Sequence, residues 1–125
     1  VLSRVKFLGS LDHKHFVNLI ALSDIMIDPY PFGGCNTSFE AFSCDIPIVT
    51  QPSSRINGRF TYGFYKKMGF DDLICNSKEE YINTITKLLT DTEFYKEVKH
   101  KIKINKHKLF MDQETLTEWE ELMSQ

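Results

Sequence analysis

A loop rich in proline and glycine, DPYPFGGCNTSFEAF at Asp28–Phe42, leads into the start of a predicted helix. Gly33 and Gly34 lack Cβ atoms and would let a ligand approach the main chain. The predicted helix then opens with three short polar residues: Asn36, Thr37 and Ser38. Because the first N–H groups of a helix lack intrahelical partners and carry partial positive charge, the pattern favours binding of a phosphate or diphosphate. A tight turn capped by Asn36 or Thr37 explains the same residues, so both interpretations stay open.

Glu40 is open to two interpretations in the same way. Together with Thr37 it matches a capping box, in which the glutamate accepts a hydrogen bond from a backbone N–H at the helix start. An acidic side chain one turn into a phosphate-binding helix is also placed to bind a ribose, since its two oxygens can accept hydrogen bonds from both hydroxyl groups.

Composition bounds the class of protein. The chain has 125 residues, 42% hydrophobic and 26% charged, which is typical of one globular domain. A formal net charge of −2 argues against a general binder of nucleic acid or of acidic membranes. The three cysteines, Cys35, Cys44 and Cys75, are an odd number without Cys-x-x-Cys spacing. We therefore expect a reducing, cytoplasmic environment, with neither a disulfide framework nor a zinc site.

The start of the chain has no initiator Met and no signal-peptide layout, and it enters a strand-like run almost at once. No apolar run approaches the roughly 20 residues that span a bilayer. We expect the chain to be the tail of a longer protein, with no membrane partner.

The elements that must position these residues alternate along the chain. Apolar runs bounded by turn residues predict four strands: Arg4–Leu8, Ile25–Asp28, Ile46–Thr50 and Asp72–Cys75. Helical spacing predicts helices within residues 12–23, 36–43, 57–69 and 77–90. Their predicted boundary signals are Asp12 as an N-cap, Gly69 as a stop, and Ser77 with Glu80 as a capping box. Two further helices, one around Phe94, Val98 and Ile102 and one around Leu116, Trp119 and Leu122, form a helical tail over about residues 91–125.

Strands that alternate with helices predict an α/β fold with a Rossmann-like parallel sheet. We expect the last three strands to lie side by side and parallel, in chain order. Arg4–Leu8 either pairs beside Ile25–Asp28 or pairs with another chain in a homodimer, because an unpaired apolar edge invites association. In open parallel sheets ligands bind beyond the carboxyl ends of the strands, where the Gly33–Gly34 loop lies.

Three segments carry a resemblance to a known family: DPYPFGGCNTSFEAFSCDIPIVT, GRFTYGFYKKMG and SKEEYI. They resemble the C-terminal part of the O-linked N-acetylglucosamine transferases, GT-B glycosyltransferases, and above all their bacterial and viral relatives. The resemblance implies that residues 1–125 are an incomplete Rossmann-like domain that binds a nucleotide-sugar donor, UDP-N-acetylglucosamine or similar, for O-linked transfer to protein. It implies no metal or other cofactor. The N-terminal half, which builds the acceptor side, and the tetratricopeptide repeats are missing, so the fragment alone is expected to be inactive.

The resemblance also assigns roles to individual residues. Asn36 and Thr37 would bind the diphosphate, to which the loop and helix-start pattern described above also assigns Gly33, Gly34 and Ser38. Glu40 and His13 would bind the ribose, and Leu11 and Phe16 would lie against the base. Phe16 is equally explained as the first core residue of its helix, and His15 is the runner-up for the base. No catalytic residue is assigned, since Cys35 has no partner placed by the sequence to activate it.

Two other functions remain as alternatives. A non-catalytic, truncated homologue could act as a nucleotide- or protein-binding module. An unrelated phosphate-binding enzyme is disfavoured because the sequence has neither a Gly-x-Gly-x-x-Gly nor a Walker loop.

Four other features are given structural interpretations. Arg59 is assigned to an ion pair or a helix start rather than to the diphosphate. The basic run Lys99–Lys108 is assigned to a solvated helix face rather than to nucleic acid, because its interleaved isoleucines cannot stack on bases. The four histidines are too dispersed for a metal site. Trp119 is expected to pack the last helix against the sheet.

Overall fold

The computed structural model of the chain describes residues 2–125. Six α-helices and two short strands follow one another in the order α1 His13–Ala21, β1 Met26–Ile27, α2 Asn36–Ser43, β2 Ile48–Val49, α3 Phe60–Met68, α4 Lys78–Thr90, α5 Thr92–Asn105 and α6 Gln113–Met123. Short 3-10 turns cover Leu2–Arg4, Ile56–Gly58 and Lys106–Leu109. Among these helices, none combines the length and the apolar character that a membrane crossing requires.

The small sheet has the predicted direction and order. β1 and β2 are parallel, with Met26 opposite Ile48 and Ile27 opposite Val49. The segment predicted as a strand at Asp72–Cys75 adds only a parallel bridge between Ile74 and Thr50. The Cys75 N–H donates to the Thr50 carbonyl at 2.8 Å. The predicted α/β fold with a parallel sheet is therefore confirmed, although its strands are shorter than predicted.

The prediction of a strand at Arg4–Leu8 is wrong. A 3-10 turn ends at Arg4, the segment after it is irregular, and Phe7 is 90% exposed. Within residues 2–125 no strand lies beside this segment, and an isolated strand has no partner for its backbone groups. The strand on which the predicted homodimer depended is not formed here.

The core lies between the sheet and the helices around it. Phe42 of α2, Tyr65 of α3 and Val98 of α5 are fully buried against the strand residues. The Tyr65 hydroxyl accepts from the Ile48 N–H at 3.0 Å and donates to the Ile48 carbonyl at 2.7 Å. Burial raises the pKa of this hydroxyl far above its ordinary value. One buried side chain thus satisfies both backbone groups of a strand residue.

Most predicted helix boundaries are confirmed. Asp12 caps α1 by accepting the His15 N–H at 2.9 Å, and Gly69 ends α3 in the left-handed region with φ +91°. Ser77 caps α4 by accepting the Glu80 N–H at 3.1 Å. The Glu80 carboxylate accepts from the Asn76 N–H at 2.7 Å, one residue earlier than a standard capping box.

The last helix, α6, is attached by side-chain ion pairs rather than by its apolar face. Lys67 of α3 contacts Asp112 at 2.8 Å and Glu114 at 3.0 Å. The Lys67 ammonium, followed by the Thr115 hydroxyl, lowers the pKa of Asp112 to about 2. The prediction that Trp119 packs this helix against the sheet is wrong, because Trp119 is 58% exposed.

Three lysines of the basic run contact other parts of the chain, two of them at helix ends. Lys106 donates to the Ser43 carbonyl at 2.7 Å, at the end of α2, and Lys108 donates to the Met68 carbonyl at 3.3 Å, at the end of α3. Lys101 contacts Asp72 at 2.8 Å. Cations are favourable at helix C-termini, where carbonyl groups lack intrahelical partners. Lys108 is exposed, as predicted for a solvated face, whereas Lys101 and Lys106 are only partly exposed and form ion pairs with Asp72 and Asp45.

Candidate functional site

A cleft of about 360 Å³ opens beyond the carboxyl end of β1, beside the start of α2. Its walls include Phe16, Asp28, Phe32, Gly33, Gly34 and Thr37. These residues come from α1, from the loop after β1 and from the first turn of α2. The cleft thus lies where ligands bind in open parallel sheets.

The start of α2 carries no side-chain cap. Cys35 holds the N-cap position with φ −127° and ψ −81°, and its side chain makes no capping hydrogen bond. Asn36 and Thr37 already lie inside the helix, so the alternative of a turn capped by either residue is wrong. Within residues 2–125 the N–H groups of Asn36, Thr37 and Ser38 meet no hydrogen-bond acceptor. Asn36 and Thr37 are accessible, so their N–H groups are left for an external acceptor at the positive end of the helix, whereas Ser38 is fully buried.

The two glycines serve the fold in a way that the sequence did not indicate. A Cβ atom on Gly33 would lie 2.8 Å from Asp28 Oδ2, and one on Gly34 would lie 2.7 Å from Ser38 Oγ. The Gly33 N–H donates to the Asn57 carbonyl at 3.0 Å, and the Gly34 N–H donates to Asp28 Oδ1 at 2.7 Å. Both N–H groups are used within the chain, so these glycines supply no donors, and their missing Cβ atoms make room for the side chains of Asp28 and Ser38.

Ser38 and Arg59 face the protein itself. Ser38 is fully buried, and its hydroxyl lies 2.8 Å from that of Thr61, between α2 and α3. Arg59 sits at the N-cap of α3, donates to the Ser53 carbonyl at 3.1 Å and lies 4.4 Å above the ring of Tyr62. Ser38 thus presents no exposed surface at the start of α2, and the structural interpretation of Arg59 as a helix-start residue is confirmed.

His13 and Glu40, which lie 27 positions apart in the sequence, are in contact in the structure. His13 Nδ1 is 3.3 Å from Glu40 Oε1, with the His13 side chain 79% exposed and the Glu40 side chain 24% exposed. The capping-box interpretation of Glu40 is wrong, because its supposed partner Thr37 lies inside the helix. The two residues assigned to a ribose are thus brought to one place.

The residues assigned to a base are placed differently from one another. Phe16 lines the cleft and also packs against the core, so both of its interpretations describe one ring. Leu11 is 42% exposed in the segment before α1 and is not part of the cleft wall. His15 instead holds the start of α1, with Nδ1 2.7 Å from Asp12 Oδ2. Its backbone N–H and its ring lower the pKa of Asp12.

Asp28 is a site residue that sequence reasoning missed. Asp28 is buried, with 5% of the residue exposed, and Oδ2 accepts from the Thr50 hydroxyl at 2.7 Å. Its backbone carbonyl accepts from the Tyr81 hydroxyl at 2.7 Å. Burial, followed by the charge of Asp28, raises the pKa of Tyr81 to about 12. The available signal was an aspartate at the end of a strand, directly before a proline and glycine loop.

A second depression, about 400 Å³ and mostly apolar, lies on the other side of the same loop. Its walls are formed by Tyr30, Gln51, Lys78, Tyr81 and Ile82. It therefore lies against α4 rather than against the uncapped start of α2.

A parallel sheet with helices around it and an uncapped helix start beyond its strand ends defines a Rossmann-like domain. Comparison of sequences adds the family. The sequence profile of glycosyl transferase family 41 matches residues 3–117, and the chain belongs to this family.

Individual relatives agree with this membership. The chain is 30% identical over 112 residues to a UDP-N-acetylglucosamine–peptide N-acetylglucosaminyltransferase of Giardia intestinalis, a match that covers 88% of this chain and 8% of the relative. It is 27% identical over 81 residues to a probable transferase of the same description, SPINDLY, of Solanum lycopersicum, covering 65% of this chain and 9% of the relative. The chain thus spans less than a tenth of the length of these relatives.

A solved structure agrees in fold. A mutant O-GlcNAc transferase of Thermobaculum terrenum superposes with a TM-score of 0.84 at 24% sequence identity, over 98% of this chain and 24% of the other. The described residues therefore correspond to about a quarter of that structure.

Proposed function

We propose that this chain is the part of a glycosyltransferase that holds the nucleoside diphosphate of a sugar donor. The donor is UDP-N-acetylglucosamine or a similar nucleotide sugar, and the acceptor is a hydroxyl group on a protein. Family membership and the names of the relatives support this reaction. The acceptor side belongs to parts of the longer protein outside these residues, so the chain binds the donor without completing the transfer.

One observation carries the proposal: the N–H groups of Asn36 and Thr37 at the start of α2 have no acceptor among the described residues, and Thr37 lines an open cleft. A diphosphate supplies acceptor oxygens and the negative charge that the helix start favours. The N–H groups of Asn36 and Thr37 bind its oxygens, and Gly34 lines the cleft beside them.

The remaining contacts follow from the same pose. Glu40 accepts the ribose hydroxyl groups with His13 beside it, and Phe16 offers its ring to the base. Leu11 reaches the base only from the rim, because it is not part of the cleft wall.

Replacement of Asn36 by Asp tests the proposal. The added carboxylate lies at the first position of α2, where it interacts favourably with the helix dipole, so the free energy of unfolding should be unchanged or higher. The same charge repels a bound diphosphate, and we expect UDP affinity, measured by calorimetry, to fall about tenfold. Stability and binding thus move in opposite directions.

Asn83→Asp is the matched control. Asn83 is exposed on α4, which contributes no residue to the cleft, and the substitution adds the same charge. UDP affinity should be unchanged in this variant. Equal affinity of Asn36→Asp and the wild type, or no UDP binding by the folded wild type at millimolar concentration, would refute the proposal.

A further inference from the structure

The Asp28 carboxylate is a buried group that the proposed contacts leave without a role. It lies in the cleft wall, and all its hydrogen-bond partners are neutral donors: the Gly34 N–H at 2.7 Å and the Thr50 hydroxyl at 2.7 Å. Among the described residues no Lys, Arg or His forms an ion pair with it. Burying a carboxylate without a cation costs stability, so a purely structural role would be served better by a neutral side chain.

Geometry connects this carboxylate to the start of α2. Gly34, which Oδ1 holds, directly precedes the N-cap residue Cys35. The other oxygen is fixed to β2 through Thr50, just after its last strand residue, and the Asp28 carbonyl is fixed to α4 through Tyr81. Because Asp28 itself follows β1, three elements, β1, β2 and α4, determine where Gly34 lies. The turn at Gly34 in turn determines the direction in which the first N–H groups of α2 point.

We propose that Asp28 is a positioning residue for the diphosphate site. It aims the N–H groups of Asn36 and Thr37 at the ligand by holding the Gly34 N–H, and it does not contact the ligand itself. The inference rests on the proposed function, since it concerns the same nucleoside diphosphate. The negative charge of Asp28 is unfavourable to a nearby anion, so only the hydrogen bonds of Asp28 support binding.

Two substitutions separate the hydrogen bonds from the charge. In Asp28→Asn the amide oxygen can accept the Gly34 N–H, and the amide NH₂ can donate to the Thr50 hydroxyl, which then acts as an acceptor. Both links are kept and the charge is removed. Asp28→Ala removes the links and the charge together.

The experiment measures UDP and uridine affinity of the folded wild type and of both variants, by calorimetry and by NMR. Asp28→Ala should weaken UDP about tenfold and change uridine less than about twofold, since uridine has no diphosphate to be aimed at. Asp28→Asn should bind UDP at least as tightly as the wild type. Asp24→Ala changes an exposed residue just before β1, and its affinity for both ligands should equal that of the wild type.

Each other result overturns the inference. If the wild type binds UDP and Asp28→Ala binds it within about twofold, Asp28 does not position the site, while the proposed function stands. If Asp28→Ala loses UDP and uridine equally, its role is general stability. If Asp28→Asn loses as much UDP affinity as Asp28→Ala, the charge itself is needed. If the folded wild type binds no UDP, the proposed function fails first.

Thr50→Val covers the case in which Asp28→Ala does not fold. Valine has nearly the shape of threonine, so the substitution fills the same buried space. It removes only the hydroxyl that donates to Asp28 Oδ2. We expect a UDP affinity about threefold lower, with uridine unchanged. Wild-type affinity for UDP in this variant would overturn the inference.

Discussion

Glu40 shows how one residue gains meaning only from its position in the fold. Its carboxylate lies one turn into α2, 3.3 Å from His13 of α1, and remains partly exposed. A neighbouring imidazole restrains the carboxylate without occupying both oxygens. Glu40 can therefore accept the two hydroxyl groups of a ribose while His13 stays at its side.

Glu40→Gln should discriminate between ribose and deoxyribose. The amide loses one acceptor position and the charge that strengthens hydrogen bonds from hydroxyl groups, so UDP affinity should fall about tenfold. Affinity for 2′-deoxy-UDP, which offers one hydroxyl group fewer, should fall much less. Calorimetry with both ligands measures the difference, and Glu79→Gln on α4 is the control. Equal losses for the two ligands would contradict the assignment.

At the scale of single residues, the sequence predicted which groups could donate or accept hydrogen bonds to a ligand. It did not predict which residues hold those groups in place. The order of residue types, with glycines first and short polar residues after, predicted a helix start at Asn36 but left a capped turn and an anion site both open, and the structure excludes the capped turn. The pairing of Glu40 with His13 came from the family resemblance, because no periodicity links segments so far apart. Asp28 was missed since its partners Gly34, Thr50 and Tyr81 come from separate elements, and only the fold brings them together.

Among the elements, β2 depends on a side chain to complete its backbone hydrogen bonding. The third segment of the sheet reaches only as far as the bridge at Thr50, so Ile48 lacks a strand on that side. The Tyr65 hydroxyl bonds both the N–H and the carbonyl of Ile48 instead. A helix side chain thereby takes the place of a strand at the point where the sheet ends.

Tyr65→Phe should therefore destabilise the chain more than the loss of one ordinary hydrogen bond. It leaves two buried backbone groups without a partner, at a cost of about 2 kcal/mol in the free energy of unfolding. Urea denaturation measures this change. Tyr62→Phe, on the same helix but only partly buried, is the control and should stay within about 0.5 kcal/mol of the wild type. A Tyr65→Phe variant as stable as this control would contradict the account.

Helices were more predictable than strands for a physical reason. Caps such as Asp12 and Ser77, and the stop at Gly69, act within a few residues and are visible in the sequence. A strand depends on a neighbour that local sequence cannot supply. The run Arg4–Leu8 has strand-like composition, yet no described strand lies beside it, and it remains irregular.

On the scale of the whole molecule, large apolar side chains remain exposed at both ends of the chain. Phe7 lies before α1, and Leu116, Trp119 and Leu122 lie on α6. The helical stripe on α6 was predicted correctly as a pattern, but its burial was not. The chain spans 8% of the Giardia relative and about a quarter of the Thermobaculum structure. The sequence alone could not show what the apolar stripe of α6 packs against, because the described residues leave that stripe exposed.

The central claim is that a nucleoside diphosphate binds at the start of α2, and amide NMR of the labelled chain titrated with UDP tests it most directly. The account predicts saturable shifts of the Asn36, Thr37 and Ser38 N–H signals, with smaller shifts at Phe16 and Glu40. Signals of α5, which lines neither depression beside the loop, should not move. A folded chain with no shifts at millimolar UDP, or with shifts confined to the apolar depression at Lys78 and Ile82, would contradict it.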